Sequence, residues 1–276
     1  MPVVAALGAV MVGGCASTGA VLPVSRPAAS STAGTIESTD QRLEAALLAA
    51  RLAPSPEAHL HVAREYARLG ILDSAHSRTA GALALNPRFA DAHEIMGRIW
   101  RDWGQPAAAL PHVYRALYYE PRSASAQNTL GTIFDALGRV DAAREAFQRA
   151  FSLDPGAGWA LSNLCYLEFR QGHFDAARTH CEAALVAMPA LPEAQNNLAL
   201  THAASGDMAG AKDAFLAVGD IAAAHYNLGI VHLASGRNDD AVRAFQAAVD
   251  ARPDFTAAKS RAHEAKMRIL KAGNWK

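Results

Sequence analysis

A period of 34 residues constrains the fold of this chain more than any other feature of its sequence. Six glycines are separated by four gaps of 34 residues and a last gap of 30: Gly70, Gly104, Gly138, Gly172, Gly206 and Gly236. Prolines follow in phase: Pro87, Pro121, Pro155, Pro189 and Pro253. Glycine favours the end of a helix, and proline follows where a helix stops. Periods of this length are typical of stacked structural repeats.

Small residues recur inside the period. With residue 56 as position 1, position 8 is occupied by Ala63, Gly97, Gly131, Cys165, Ala199 and Gly229. Position 20 is alanine in every copy, and position 27 is alanine except at Val218. Bulky residues such as Leu130 and Phe147 occupy positions 7 and 24. Because small side chains let helices approach closely, each period is predicted to be a pair of antiparallel helices.

This pattern resembles the tetratricopeptide repeat (TPR) family, and the resemblance implies an all-α, right-handed α-solenoid over residues 39–272. Six repeats are expected at residues 56–89, 90–123, 124–157, 158–191, 192–221 and 222–255. Capping helices are expected at about residues 39–52 and 256–270. The family implies protein binding rather than catalysis.

The sequence offers no signature of an enzyme, a cofactor site or a metal site. We find no nucleophile elbow, P-loop, HExxH motif or paired carboxylates. His59 and His61 lie two residues apart, so on a helix their side chains diverge. His202 and His232 both fall at position 11 and are interpreted as packing residues that also form hydrogen bonds. The balance of 26 basic and 26 acidic residues predicts neither a nucleic acid partner nor an electrostatic membrane surface.

The N-terminus is typical of a bacterial lipoprotein. Residues 3–12 are almost entirely apolar, too short to span a bilayer but suited to a signal peptide over residues 1–14. The following VGGC resembles a lipobox, which implies lipid attachment at Cys15 and a flexible tether over residues 15–38. Ala16 then favours the outer membrane, with the protein facing the periplasm. The alternative is an uncleaved apolar terminus, because no Lys or Arg precedes the apolar run.

Cys165 and Cys181 occupy positions 8 and 24 of the fourth repeat, which face each other across the helix pair. An oxidising periplasm would permit a disulfide between them. The alternative is two buried thiols that pack as small apolar residues.

The first helix of each repeat lines the groove in this family, so positions 2, 5, 9 and 12 are candidates for partner binding. They are charged in the first two repeats, for example at Arg64, Glu94 and Arg98, and do not reproduce the Lys and Asn set that clamps a free carboxyl terminus. In the later repeats they form an expected apolar binding strip, which we name with the neighbouring asparagines as Trp159, Tyr166, Phe169, Asn196, Leu200, Tyr226, Asn227, Ile230 and Leu233. Asn197 also lies nearby. Exposed apolar strips mark interaction sites, although superhelical curvature could instead bury these residues.

Two functions follow from the resemblance. The first is a lipid-anchored scaffold that assists assembly of a pilus or secretion complex, similar to secretin pilotins and TadD-type lipoproteins, by holding an amphipathic or extended segment of a secretin or pilus-assembly subunit. The alternative is an envelope scaffold that docks periplasmic enzymes such as peptidoglycan hydrolases or synthases.

The fifth repeat is four residues short, about one helical turn, and lacks the proline of the other copies. Gly219 is expected to end its second helix and Asp220 to cap the next. This deletion falls between Leu200 and Tyr226, inside the expected apolar binding strip.

Overall fold

A computed structural model describes residues 40–273 of the chain, with the side chains of residues 40–271. Within that part every regular element is an α-helix, as the repeat pattern predicts. The described residues form two compact units, an N-terminal unit of residues 40–153 and a C-terminal unit of residues 154–273.

The N-terminal unit contains seven helices. They are α1 (Gln41–Leu52), α2 (Pro56–Arg68), α3 (Leu72–Leu85), α4 (Ala90–Asp102), α5 (Pro106–Tyr119), α6 (Ala124–Ala136) and α7 (Val140–Leu153). Helix α1 precedes the first repeat and buries Leu43 and Ala46. Each even-numbered helix is the first helix of a repeat, and the odd-numbered helix after it is the second.

The C-terminal unit also contains seven helices, and the same alternation continues. They are α8 (Gly158–Gln171), α9 (Phe174–Ala187), α10 (Pro192–Ala204), α11 (Met208–Leu216), α12 (Ile221–Ala234), α13 (Asn238–Ala251) and α14 (Thr256–Gly273). Helix α14 follows the last repeat and packs on α13.

The small positions of the repeat are the contact points between the two helices of each pair. All six alanines at position 20 are completely buried. A Cβ atom built on Gly131 would lie 2.5 Å from the ring of Phe147, and one on Gly229 would lie 2.5 Å from the ring of Phe245. Since such distances are shorter than van der Waals contact, the glycine at position 8 is what lets the large side chain at position 24 fit.

The ends of the helices follow the predicted chemistry. The six glycines that set the period all adopt positive φ, between 71° and 92°, a backbone region in which L side chains are disfavoured. Side-chain caps begin several helices; the Ser55 hydroxyl, for example, accepts a hydrogen bond of 3.1 Å from the amide of Ala58.

The short fifth repeat has its deletion in its second helix. Helix α11 has 9 residues, whereas the other second helices have 14. Gly219 adopts a φ of 90° after α11. The carboxylate of Asp220 then accepts a hydrogen bond of 2.9 Å from the amide of Ala223 and caps α12, as predicted.

No helix in residues 40–273 combines the length and the apolar character that crossing a membrane requires.

Candidate protein-binding face

The first helices form one face of each unit, which we call the inner face. In the N-terminal unit α4 packs against α6, and in the C-terminal unit α8 packs against α10. Within each unit the second helices pack instead on the first helices before and after them. At the short repeat this regularity changes, because α10 and α12 have no comparable contact although α11 touches both. The deletion therefore alters the spacing of first helices on the inner face of the C-terminal unit.

The predicted exposure of the apolar binding strip is wrong for most of its members. Seven of its nine residues are buried: Phe169, Asn196, Leu200, Tyr226, Asn227, Ile230 and Leu233. The other two, Trp159 and Tyr166, are half-buried. Position within the repeat predicts which helix carries a side chain, but not how much of that side chain water reaches.

Packing within the unit accounts for the burial of the two large aromatic rings. The ring of Phe169 lies 6.2 Å from that of Tyr166 and 6.1 Å from that of Phe174, between centroids. The ring of Tyr226 lies 5.6 Å from that of Phe245 and 5.0 Å from that of Phe255. Phe255 is the last residue of the sixth repeat, so the end of this repeat covers the ring of Tyr226 near its beginning. Leu200, Ile230 and Leu233 belong to the same hydrophobic core.

Two buried asparagines carry carbonyl oxygens that have no hydrogen-bond partner in the structure. Asn197 and Asn227 both occupy position 6, on α10 and α12, and are 3% and 2% exposed. Asn197 donates from Nδ2 to the backbone oxygen of Ser162 at 3.1 Å and to its hydroxyl at 3.2 Å, which directs Oδ1 away from α8. The Oδ1 atoms of Asn197 and Asn227 are both buried and unbonded. A buried carbonyl without a donor is destabilising and is uncommon in native proteins, so an additional hydrogen-bond donor at either oxygen would be stabilising.

Tyr166 adds an aromatic surface on α8. The guanidinium carbon of Arg170 lies 5.8 Å from the centroid of the Tyr166 ring. Tyr166 and Trp159 are thus the members of the strip that keep aromatic surface open to solvent.

The inner face of the N-terminal unit is held together by charged side chains. Arg64 and Asp91 form an exposed ion pair of 2.9 Å. The buried carboxylate of Glu94 accepts hydrogen bonds from Ser125 Oγ at 2.7 Å and from Thr129 Oγ1 at 3.0 Å. These bonds connect α4 to α6, so much of the charge predicted for this face serves to join neighbouring repeats.

The arginines of α4 complete that network. Arg101 is buried and donates to the hydroxyl of Thr132 at 2.6 Å and to the carboxylate of Asp102 at 2.7 Å. Arg98 is exposed, yet the surrounding protein lowers the pKa of its guanidinium through partial loss of solvent, and the nearby charge of Arg101 lowers this pKa further.

The histidines singled out in the sequence have different surroundings. His61 is exposed, while the ring of His59 lies against Gly81. His202 Nδ1 lies 3.0 Å from the carboxylate of Asp207. Burial lowers the pKa of His232, and the charge of Arg237 contributes in the same direction. Across residues 40–273, no three His, Cys, Asp or Glu side chains are grouped as a metal site would require.

Of the two alternatives for the cysteines, the structure contains the disulfide. Cys165 and Cys181 are bonded with their Cα atoms 5.2 Å apart, and both are fully buried. The bond links α8 to α9.

The predicted lipid attachment site at Cys15, the signal peptide and the tether lie outside the residues that the structure describes. They stay predictions.

Three family models, each described as a tetratricopeptide repeat, match the sequence. One matches residues 101–158 and 164–224, a second residues 136–185, and a third residues 222–255. Together they cover residues 101–255 without a gap, more than half of the chain. No curated protein sequence matches the chain.

Solved structures share this fold at low sequence identity. A chain of the APC/C hetero-tetramer Cut9–Hcn1 superposes with a TM-score of 0.65 and 17% identity over 81% of this chain, which spans only 45% of that longer protein. PilW, described as a widely conserved type IV pilus biogenesis factor, gives a TM-score of 0.61 and 21% identity, with 74% of this chain and 97% of PilW covered. The Pseudomonas aeruginosa pilF protein gives a TM-score of 0.58 and 17% identity, with 77% of this chain and 97% of that protein covered.

Repeats of this kind stack into surfaces that bind other proteins. From its 34-residue period, its helix pairs and the family models, the chain belongs to the tetratricopeptide repeat family and is a protein-interaction scaffold similar in fold to tetratricopeptide repeat proteins of pilus biogenesis.

Proposed function

We propose that this protein is a lipid-anchored periplasmic scaffold that assists assembly of a pilus or secretion complex. It would bind an extended or amphipathic segment of a secretin or pilus-assembly subunit on the inner face of its C-terminal unit. The observation that carries the proposal of a peptide site is the pair of buried, unbonded Oδ1 atoms of Asn197 and Asn227.

The geometry suits recognition of a peptide backbone. Asn197 and Asn227 place two acceptors at the same position of successive first helices, a pair that we call the acceptor ladder. The backbone amides of an extended chain are donors at regular intervals. Trp159 and Tyr166 would supply aromatic surface for the side chains of the segment. Specificity would then come from these rings, while the asparagines hold the backbone.

The assignment to pilus or secretion assembly rests on different support. PilW is covered over 97% of its length by this chain, so the two are comparable in extent as well as in fold. The lipobox-like VGGC ending at Cys15 supports lipid anchoring, and Ala16 after it favours the outer membrane. Localisation is tested separately: Cys15→Ser should move the protein from the membrane fraction to the soluble fraction, and an unchanged distribution would contradict the anchor.

The binding site can be tested in cells by placing a photo-crosslinking amino acid at Trp159, which is half-buried. We expect the crosslinked product to contain a secretin or pilus-assembly subunit. A peptidoglycan hydrolase or synthase in the product would instead support the alternative scaffold. A crosslinker at exposed Tyr118 on α5 is the matched control.

The variant Asn227→Leu then tests the acceptor ladder. Because an apolar side chain of similar volume removes an unbonded buried carbonyl, the melting temperature should stay the same or rise while the crosslinked product is lost. If the product forms as before, the ladder does not bind the partner. If the melting temperature falls by several degrees, Asn227 is a structural residue.

Restoring four residues after Val218 tests the role of the deletion. We expect the crosslinked product to decrease while far-ultraviolet circular dichroism shows the same helicity. An unchanged yield would mean that the deletion is merely tolerated.

A further inference from the structure

The last helix of the chain carries an unusual concentration of lysine. The sequence contains only five lysines, and four of them lie at or after residue 259: Lys259, Lys266, Lys271 and Lys276. Before residue 259 the sequence uses arginine as its basic residue almost throughout, and Lys212 is the one lysine. In the same stretch Glu264 is the only acidic side chain. The overall charge balance of zero therefore conceals a basic end.

The lysines of α14 lie on the part of the helix surface that does not pack on the C-terminal unit. Ala258, Ala262 and Ala265 are buried on the packed side. Lys259, Lys266 and Lys271 are exposed, and no carboxylate lies within ion-pair distance of them among the described residues.

The two arginines of this helix are used differently. Glu264 binds Arg261 at 2.6 Å and Arg268 at 2.8 Å, so its charge is already compensated. The acidic side chains at the start of α13 lie with Ile269 around a cavity on another side of the helix. The three lysines thus form an exposed face with uncompensated positive charge.

Two large apolar side chains lie among these lysines. Met267 is 40% exposed and Leu270 is 59% exposed, although a capping helix would be expected to present a polar outer surface. Met267 precedes Lys271 by four residues, and Leu270 follows Lys266 by four, so each apolar group neighbours an ammonium group on the helix surface.

From this arrangement we propose that the outer face of α14 binds the surface of an anionic lipid membrane. Lysines with long apolar stems around exposed Met and Leu side chains match the composition of helices that lie in a lipid interface. Recognition of specific carboxylates on a protein favours the planar fork of arginine, whereas a fluid anionic surface requires only charge. The choice of lysine here, in a chain that otherwise uses arginine, therefore favours lipid over an acidic protein. The proposal goes beyond the proposed function and does not depend on an anchor at Cys15.

The test is sedimentation of the full chain, carrying Cys15→Ser, with vesicles of phosphatidylcholine alone or of phosphatidylcholine and phosphatidylglycerol in equal parts. We expect binding to the anionic vesicles that decreases at high salt. The variant Lys259→Gln, Lys266→Gln, Lys271→Gln should lower partitioning on the order of a hundredfold, since each basic residue contributes about fivefold. Lys212→Gln on α11 is the matched control and should bind like the parent.

Three results would overturn the proposal. The first is equal partitioning of the parent into neutral and anionic vesicles, and the second is unchanged binding of the triple variant. The third is binding to polyglutamate without binding to anionic vesicles, which would indicate an acidic protein partner. Because every protein in the test lacks Cys15, the outcome is separate from that of the proposed anchor.

Discussion

The two units are built from the same helix pair but use its inner face for different chemistry. In the N-terminal unit the first helices are joined by a buried carboxylate and a buried guanidinium, at Glu94 and Arg101. In the C-terminal unit the corresponding positions carry aromatic, aliphatic and amide side chains, most of them in the core. The contacts at positions 8, 20 and 27 hold the helix pair together in both units. The inner-face positions can therefore carry a polar network in one unit and an apolar core in the other.

A second contrast concerns the contact between positions 8 and 24. In two repeats a glycine faces a phenylalanine, for example Gly131 with Phe147, whereas in the fourth repeat the cysteines at these positions form the disulfide. Two side chains of intermediate size thus replace a small and a large one. Conservation of the total volume explains how the same helix spacing accommodates both solutions.

The largest expected effect is a difference in the free energy of unfolding between a core variant and a binding-face variant of the C-terminal unit. Phe169→Ala should destabilise this unit by about 3–5 kcal/mol, because it removes a fully buried ring. Tyr166→Ala, at a half-buried neighbour, should cost much less. Urea unfolding with hydrogen exchange measured separately for each unit checks this prediction. Similar small effects of both substitutions would mean that Phe169 is part of an open surface after all.

The next effect tests the disulfide against the glycine and phenylalanine pair. Cys165→Ala with Cys181→Ala should destabilise the C-terminal unit by about 3 kcal/mol, since the bond closes a short loop in the unfolded chain. The variant Cys165→Gly with Cys181→Phe should recover part of that loss, because it restores the pairing of Gly229 and Phe245. Denaturant titrations with and without reductant measure the free energy of unfolding of both variants. If the second variant is less stable than the first, volume alone does not explain the substitution.

A smaller effect is a pH dependence of the stability of the N-terminal unit. Burial lowers the pKa of His112 to about 4, and the neighbouring His93, Arg115 and His76 contribute. Between pH 6.5 and pH 4 the unfolded chain therefore binds a proton that the folded chain does not, and stability decreases as the pH falls through this window. With allowance for partial exposure, the loss is on the order of 1 kcal/mol.

That dependence is measured as melting temperature against pH. His112→Asn should flatten the curve, while His61→Asn, at an exposed histidine on α2, is the control. If the melting temperature of His112→Asn depends on pH as steeply as that of the parent, another group causes the loss of stability.

The smallest effect concerns the charge on the inner face of the N-terminal unit. Arg64→Ala should cost less than about 1 kcal/mol, because the ion pair with Asp91 is exposed on both sides. Arg101→Ala should cost more, since its guanidinium is buried and bonded to Thr132. Chemical denaturation at low and high salt compares the two. Equal losses would show that burial does not distinguish these arginines.

The repeat pattern predicts the fold because its regular spacing of small residues and glycines reflects where helices end and where they touch. Glycines such as Gly104 end helices through positive φ, and alanines such as Ala109 lie where two helices touch, so both are recognisable without a structure. The shortened repeat, with Gly219 and Asp220 at its end, was predictable for the same reason. The candidate binding strip was less predictable, because exposure depends on residues distant in sequence. Tyr226 is covered by Phe255, which lies at the opposite end of the sixth repeat.

The sequence by itself therefore determined the family, the helix pairs and the place where their period breaks, since these depend on spacing along one chain. Only the tertiary structure decided that Phe169 and Tyr226 are core residues, that Cys165 and Cys181 are bonded, and that the carbonyls of Asn197 and Asn227 are left without donors. The physical reason is that burial and hydrogen bonding belong to the surroundings of a side chain, which neighbouring helices supply.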